Sequence, residues 1–118
     1  MKTREEFTCP LDLTHDILKG KWKPIIIWCL RHSGLSLSDL KKSISGISQK
    51  MLLEQLKELQ EFDFVGKNEF SGYPLKVEYY LKDRGWKILE AIKTMQEIGI
   101  DIMKQQGKED FLRKKGLL

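Results

Sequence analysis

Long apolar runs are missing from this chain. The longest, Ile25–Leu30 (IIIWCL), falls far below the roughly 20 residues that a membrane-spanning helix needs. Nothing resembles a signal peptide, so a cytoplasmic location with no membrane partner is the expectation. Cysteine is scarce as well: Cys9 and Cys29 stand alone, with no CxxC pair. Together with His15 and His32 they make no metal-ligand spacing, and a domain of this size does not need a disulfide scaffold. No metal and no cofactor are expected. Neither histidine has a visible catalytic partner, and no base or oxyanion motif accompanies Cys9, which argues against an enzyme. Pro/Gly-rich linkers, internal repeats and low-complexity tracts are also absent, so residues 1–118 read as one domain with a real core.

What is present begins with charge. The net charge is +4 and the pI about 9.0. That favours a polyanionic partner, or describes only a solvated basic surface; placement has to decide. Residues 1–8 are polar and read as a mobile arm. Leu13, Ile17 and Leu18 keep helical spacing over Pro10–Leu18, with Pro10 suited to a first turn. Pro24 opens a strongly apolar helix that Gly34 stops, expected to be central and buried. Ser36 starts a capping-box-like S-L-S-D ahead of a short helix marked by Leu37, Leu40 and Ile44. Ser48 is the natural N-cap of the next helix, whose stripe is Leu52, Leu56 and Leu59. Phe64–Phe70 and Lys76–Leu81 are rich in β-formers and flank Ser71-Gly72-Tyr73-Pro74, a hairpin tip. Asp83 can cap the last long segment, which has weak points at Gly99 and Gly107 and a break expected near Gly99. The charged tail 108–118 is expected to fray.

The order is four helices, a hairpin, then a long helix. A very short Gly46-containing turn joins the third helix to the fourth, and the hairpin follows at once. The expected architecture is therefore mainly α with a small β hairpin, a winged helix-turn-helix. In such a fold the second helix of the motif packs by one face and points its start into the DNA major groove. Ser48, Gln49, Lys50, Leu53, Glu54 and Lys57 lie off the apolar stripe. Gln pairs with adenine N6/N7, Lys with guanine O6/N7, and Leu53 suits a thymine methyl. Ser48 and the helix N-terminus suit a phosphate. Lys67, Asn68, Ser71, Tyr73 and Lys76 gather around the hairpin tip, where a wing would meet flanking phosphates or the minor groove. The competing reading is a winged-helix module that binds protein and no specific DNA. It gains if Glu54 and Glu58 neutralise the Gln49/Lys50 face.

At this point the residues resemble a family. The segments C-P-L (Cys9–Leu11), G-K-W-K (Gly20–Lys23), G-I-S-Q-K-M-L (Gly46–Leu52), L-K-E-L (Leu56–Leu59) and P-L-K-V-E-Y-Y-L (Pro74–Leu81) are similar, in order, to the HxlR-type bacterial transcriptional regulators of the MarR-like winged-helix group. Three positions depart from the pattern. Asp63 stands where a Gly is usual, a residue that tolerates left-handed backbone better than most. Leu81-Lys82-Asp83-Arg84-Gly85 replaces L-T-x-x-G, leaving Asp83 as the substitute cap. Leu53 replaces a small polar residue, so base preference does not transfer. The resemblance implies a homodimer built from the N- and C-terminal helices, on a palindromic operator. Independently, residues 84–106 carry apolar side chains on more than one face, among them Ile88, Leu89, Ile92, Met95, Ile98 and Ile102, more than one small core easily buries. Some members of the resembled family sense oxidants or electrophiles through a cysteine at the position of Cys9. A helix N-terminus and an accessible arm favour a reactive thiol there. The alternative is a small residue with no signalling role. Cys29, within IIIWCL, reads as core. The small-molecule effector, if one exists, is not legible.

Overall fold

A computed structural model describes residues 1–118. The elements are α1 (Pro10–Leu18), α2 (Trp22–Cys29), α3 (Leu37–Ser43), α4 (Gln49–Glu61), β1 (Val65–Phe70), β2 (Lys76–Leu81), α5 (Asp83–Gln105) and α6 (Glu109–Lys114). The strands pair antiparallel, with Val65 opposite Leu81 and Phe70 opposite Lys76. Leu35 exchanges two backbone hydrogen bonds with Tyr79, at 2.9 and 2.8 Å, which ties the lead-in to α3 onto β2. This is the winged helix-turn-helix that the pattern predicts.

The core forms where α2 meets α4 and α5. Ile26, Ile27 and Leu30 of α2 and its C-terminal end lie against the same cluster as Leu52, Leu56 and Leu59 of α4, all essentially inaccessible to water. α2 starts at Trp22, two residues before Pro24. Proline is tolerated there because the N–H it lacks has no intrahelical partner in the first turn. Lys23, in the same turn, is buried and forms an ion pair with Glu58 of α4.

Three helices end in the same way. The N–H of Phe64 bonds the Leu59 carbonyl (2.9 Å) and that of Asp63 bonds Gln60 (3.1 Å), a Schellman closure with Asp63 left-handed at φ 61°. Asp63 thus takes the turn expected of it. Gly107 closes α5 and Gly116 closes α6 with the same pair of bonds and positive φ.

Several expectations change. α5 runs unbroken through Gly99, because the residues on both sides keep good helical spacing and the helix only reaches its left-handed terminator at Gly107. Asp83 is the first residue inside α5; Lys82 is the N-cap, without a side-chain cap bond. The tail does not simply fray: α6 forms within it and buries Leu112 completely. Residues 1–8 have no regular structure, yet Arg4 anchors them to Asp16 of α1 through three hydrogen bonds of 2.8–2.9 Å.

Gly85 shows why α5 begins as it does. A Cβ there would stand 2.2 Å from the Phe64 carbonyl oxygen, so only glycine lets the helix start against the entry to β1. A Cβ at Gly99 would meet nothing within 4 Å. Gly85→Ala is therefore expected to lower the unfolding free energy by about 2 kcal/mol, overpacking outweighing the gain in helix propensity. Gly99→Ala should raise it by about 0.5–1 kcal/mol. Urea titrations of the two variants check both signs.

Candidate nucleic-acid interface

The Gly46 turn, at φ 85°, brings the chain from α3 into α4 in five residues, Ile44 to Ser48. Ile44 and Ile47 on either side are buried, which locks the turn to the core. Ser48 caps α4 by accepting a hydrogen bond from the Met51 N–H at 3.1 Å. Its hydroxyl proton stays free for an anion.

With Leu52, Leu56 and Leu59 buried, the helical period exposes the rest of α4. Gln49, Lys50, Glu54 and Lys57 are all exposed, and Leu53 is 41% exposed between them. Lys50 and Lys57 make no ion pair. Glu58, which might have neutralised this face, turns the other way to Lys23. Of the two acidic residues weighed from sequence, only Glu54 remains on the face.

The hairpin separates its expected cluster. Lys67 pairs with Tyr79 and Asn68 with Glu78, so neighbouring residues point to opposite sheet faces. Lys67 is drawn to Glu69 at 3.2 Å. Lys76 lies opposite Phe70 on the Asn68 face and has no ionic partner. Ser71 and Tyr73 are exposed at the tip, Tyr73 fully, and a cis peptide joins Tyr73 to Pro74. Leu75 and Phe70 are exposed beside them, an apolar edge that the sequence reading passed over. Alternation in KNEF was the available signal. Exposed Lys41 and Lys42 in the last turn of α3 were also passed over.

On α5, Leu89 and Ile92 belong to the monomer's own core, and Ile88 packs on its edge. They leave the expected interface because α5 turns that stripe towards α2. Met95, Ile98 and Ile102 remain 60, 55 and 46% exposed.

Cys9 is exposed and is the N-cap of α1. Asp12 reaches back to accept from the backbone N–H groups of Thr8 (2.8 Å) and Cys9 (3.3 Å). Cys29 is half-buried on α2, and burial pushes its thiol pKa up.

The family model described as HxlR-like helix-turn-helix matches residues 17–107. The chain belongs to that family. It is a transcriptional regulator of the HxlR/MarR type. It is 34% identical over 100 residues to MalR of Fusobacterium mortiferum, a protein assigned a regulatory role, covering 84% of this chain and 94% of that one. A MarR-family transcriptional regulator of Porphyromonas gingivalis W83 is similar in structure, with a TM-score of 0.76 and 31% identity over 84% of this chain and 97% of the other. The redox regulator HypR in its oxidized form gives a TM-score of 0.75 at 30% identity, over 79% and 96% of the two chains. No helix is long and apolar enough to cross a membrane.

The Arg4–Asp16 pair holds the segment that leads to Cys9. Hydrogen bonds from the Arg4 guanidinium and backbone hold the Asp16 carboxyl well below the usual carboxylate range. A depressed carboxyl contributes stability that is complete above its unfolded pKa and is lost as pH falls through its folded value. Arg4→Ala should therefore lower the melting temperature at pH 7, and the gap to the parent protein should narrow below about pH 4. Melting curves from pH 7 to pH 2 check this; a gap independent of pH would assign the loss to packing.

Proposed function

We propose that the protein binds a palindromic operator as a homodimer, reading bases with the start of α4. The observation that carries the reading is the state of that helix: Gln49, Lys50, Leu53 and Lys57 exposed, both lysines unpaired, and Glu58 withdrawn to Lys23. The protein-only module, which would gain from a neutralised face, loses the support of Glu58. Ser48 and the helix N-terminus take a phosphate, Gln49 and Lys50 take base edges, Glu54 suits a cytosine amine, and Lys57 adds attraction further along. In the wing, Lys76, Asn68, Ser71 and Tyr73 approach the flanking backbone, and Lys67 joins once it releases Glu69.

Dimerisation rests on α1 and α5. Leu11 and Leu13 are exposed on α1, and Met95, Ile98 and Ile102 on α5. The radius of gyration, 15.7 Å, exceeds the roughly 13.5 Å expected of a compact chain this long. An extended shape with uncovered apolar helix faces suits a second copy. Two-fold symmetry then sets the recognition helices about 34 Å apart.

Selection of bound duplexes from a random pool, at near-physiological salt, tests the proposal. The expected outcome is a palindrome with half-sites about 10 bp apart. Gln49→Ala with Lys50→Ala should lose that preference with its melting temperature unchanged, each lost base pairing costing about 1–3 kcal/mol of discrimination. Binding without a motif, vanishing as salt rises, would leave phosphate attraction alone.

The similarity to a redox regulator supports Cys9 as an oxidant or electrophile sensor, since its thiol is exposed at a helix start. Cys9→Ser should abolish any change in operator binding on diamide treatment, as read by gel shift. A response that survives in this variant transfers the role to Cys29.

A further inference from the structure

The tip of the hairpin departs from an ordinary solvated loop. Phe70 and Leu75 are 48 and 61% exposed, and Tyr73 between them is fully so. No Asp or Glu lies between Phe70 and Val77. The acidic residues on either side are drawn away. Glu69 pairs with Lys67 at 3.2 Å, and Glu78 leans on Gly34, where a Cβ would collide with its carboxylate. Lys76, opposite Phe70, is exposed and has no ionic partner. The tip thus presents three apolar side chains beside one free cation.

The tip is also held out firmly. Alternate positions of β2 lead from the core towards the end of the wing: Leu81 and Tyr79 are buried, and Val77 packs on the edge of the core. Leu75, the next alternate position, lies just before the strand. Tyr79 is fixed to Leu35 by two backbone hydrogen bonds. From Tyr79 to Lys76 the strand advances about 10 Å. The tip therefore projects past its anchor by more than the depth of a minor groove, about 7.5 Å. Three exposed side chains are too few for a protein partner. Even at the roughly 150–250 Å² that a buried aromatic contributes, they fall short of the ~800 Å² per partner of a stable protein interface. What they make is a wedge.

We propose that the wing bends DNA with this wedge: Tyr73 and Leu75 enter the minor groove beside each half-site and part a base step, while Lys76 holds an adjacent phosphate. Apolar side chains inserted in this way kink a duplex by about 20–90° towards the major groove. Pyrimidine–purine steps unstack most easily, so the wedge selects TA or CA/TG at the flank with no hydrogen bond to a base. The inference rests on DNA being the partner. It goes beyond the backbone contacts given to the wing above, because it assigns the tip a deformation and a sequence preference of its own.

The experiment measures end-to-end energy transfer across dye-labelled duplexes bound by the full-length protein. The probes are the palindrome recovered by selection and a duplex of arbitrary sequence. Transfer is expected to rise on binding, by the amount that a bend of at least about 20° gives. Tyr73→Ser with Leu75→Ser should straighten the duplex, weaken binding about tenfold and remove any TA or CA/TG enrichment outside the palindrome. Its half-sites and the melting temperature of the protein should not change. Lys76→Gln should weaken binding to every sequence and reduce the salt slope by about 1, with the bend retained. A duplex left straight by the parent protein, or a bend that survives the double variant, would overturn the proposal. DNA binding untouched by the double variant would overturn it too and give the tip to a protein partner. If selection yields no palindrome, the α4 reading fails by itself, and the arbitrary duplex still decides whether the tip bends DNA.

Discussion

The roll of α4 about its own axis is set by Leu52, Leu56 and Leu59, and most of what the domain offers to a partner depends on it. These side chains occupy one face at helical spacing and lose essentially all contact with water against the α2 isoleucines and their neighbours. Burying each is worth about 1.5–3 kcal/mol, so rotating the helix by even one residue position would sacrifice several kcal/mol. The start of the helix is held by the Ser48 cap and its end by the Schellman closure at Asp63. A third restraint is ionic. Lys23 of α2 is buried and would be costly without a counter-charge, and Glu58 supplies it from α4. Roll, ends and tilt are thus fixed by groups on the core side and at the helix ends, which leaves Gln49, Lys50, Leu53, Glu54 and Lys57 exposed on the opposite face.

The same logic explains which parts of the molecule could be read in advance. Helices α1 to α4 and the hairpin carry their signals locally: an apolar period, a Ser or Pro at the start, a Gly or Asp at the end. The order of elements then sufficed for the winged helix-turn-helix. The recognition-helix positions followed because a stripe as narrow as Leu52, Leu56 and Leu59 leaves only one way to pack. α5 behaved differently. Its apolar residues cover more than one face, and period alone does not say which meets the core. That was decided by α2, which takes Leu89 and Ile92 and leaves Met95, Ile98 and Ile102 outside. Ion pairs across long stretches of chain were equally illegible. Nothing in the neighbourhood of Arg4 announces Asp16, and nothing near Lys23 announces Glu58. Leu112, next to Phe111 in a charged tail, gives too weak a pattern to signal α6, yet a buried position was waiting for it.

A net charge of +4 is too small to identify a partner, but its distribution is informative. Several cations are spent inside the fold or on their neighbours: Arg4 on Asp16, Lys23 on Glu58, Lys82 on Asp63, Lys67 on Glu69, Lys93 on Glu90 and Arg113 on Asp110. These pairs hold the domain together or screen one another, and contribute little field at a distance. Among the unpaired cations two groups stand out. Lys50, Lys57 and Lys76 belong to the exposed face of α4 and the wing, and Lys21, Arg31 and Lys115 stand at the ends of α2 and α6, each over an aromatic ring. Both are next to surfaces of matching chemistry, hydrogen-bonding side chains in the first case and aromatic rings in the second. The first suits an extended polyanion. The α3–α4 turn leads into α4 and is held to the core by the buried anchors Ile44 and Ile47. A displacement of that turn would be transmitted to the roll of α4 through side chains that are already close-packed.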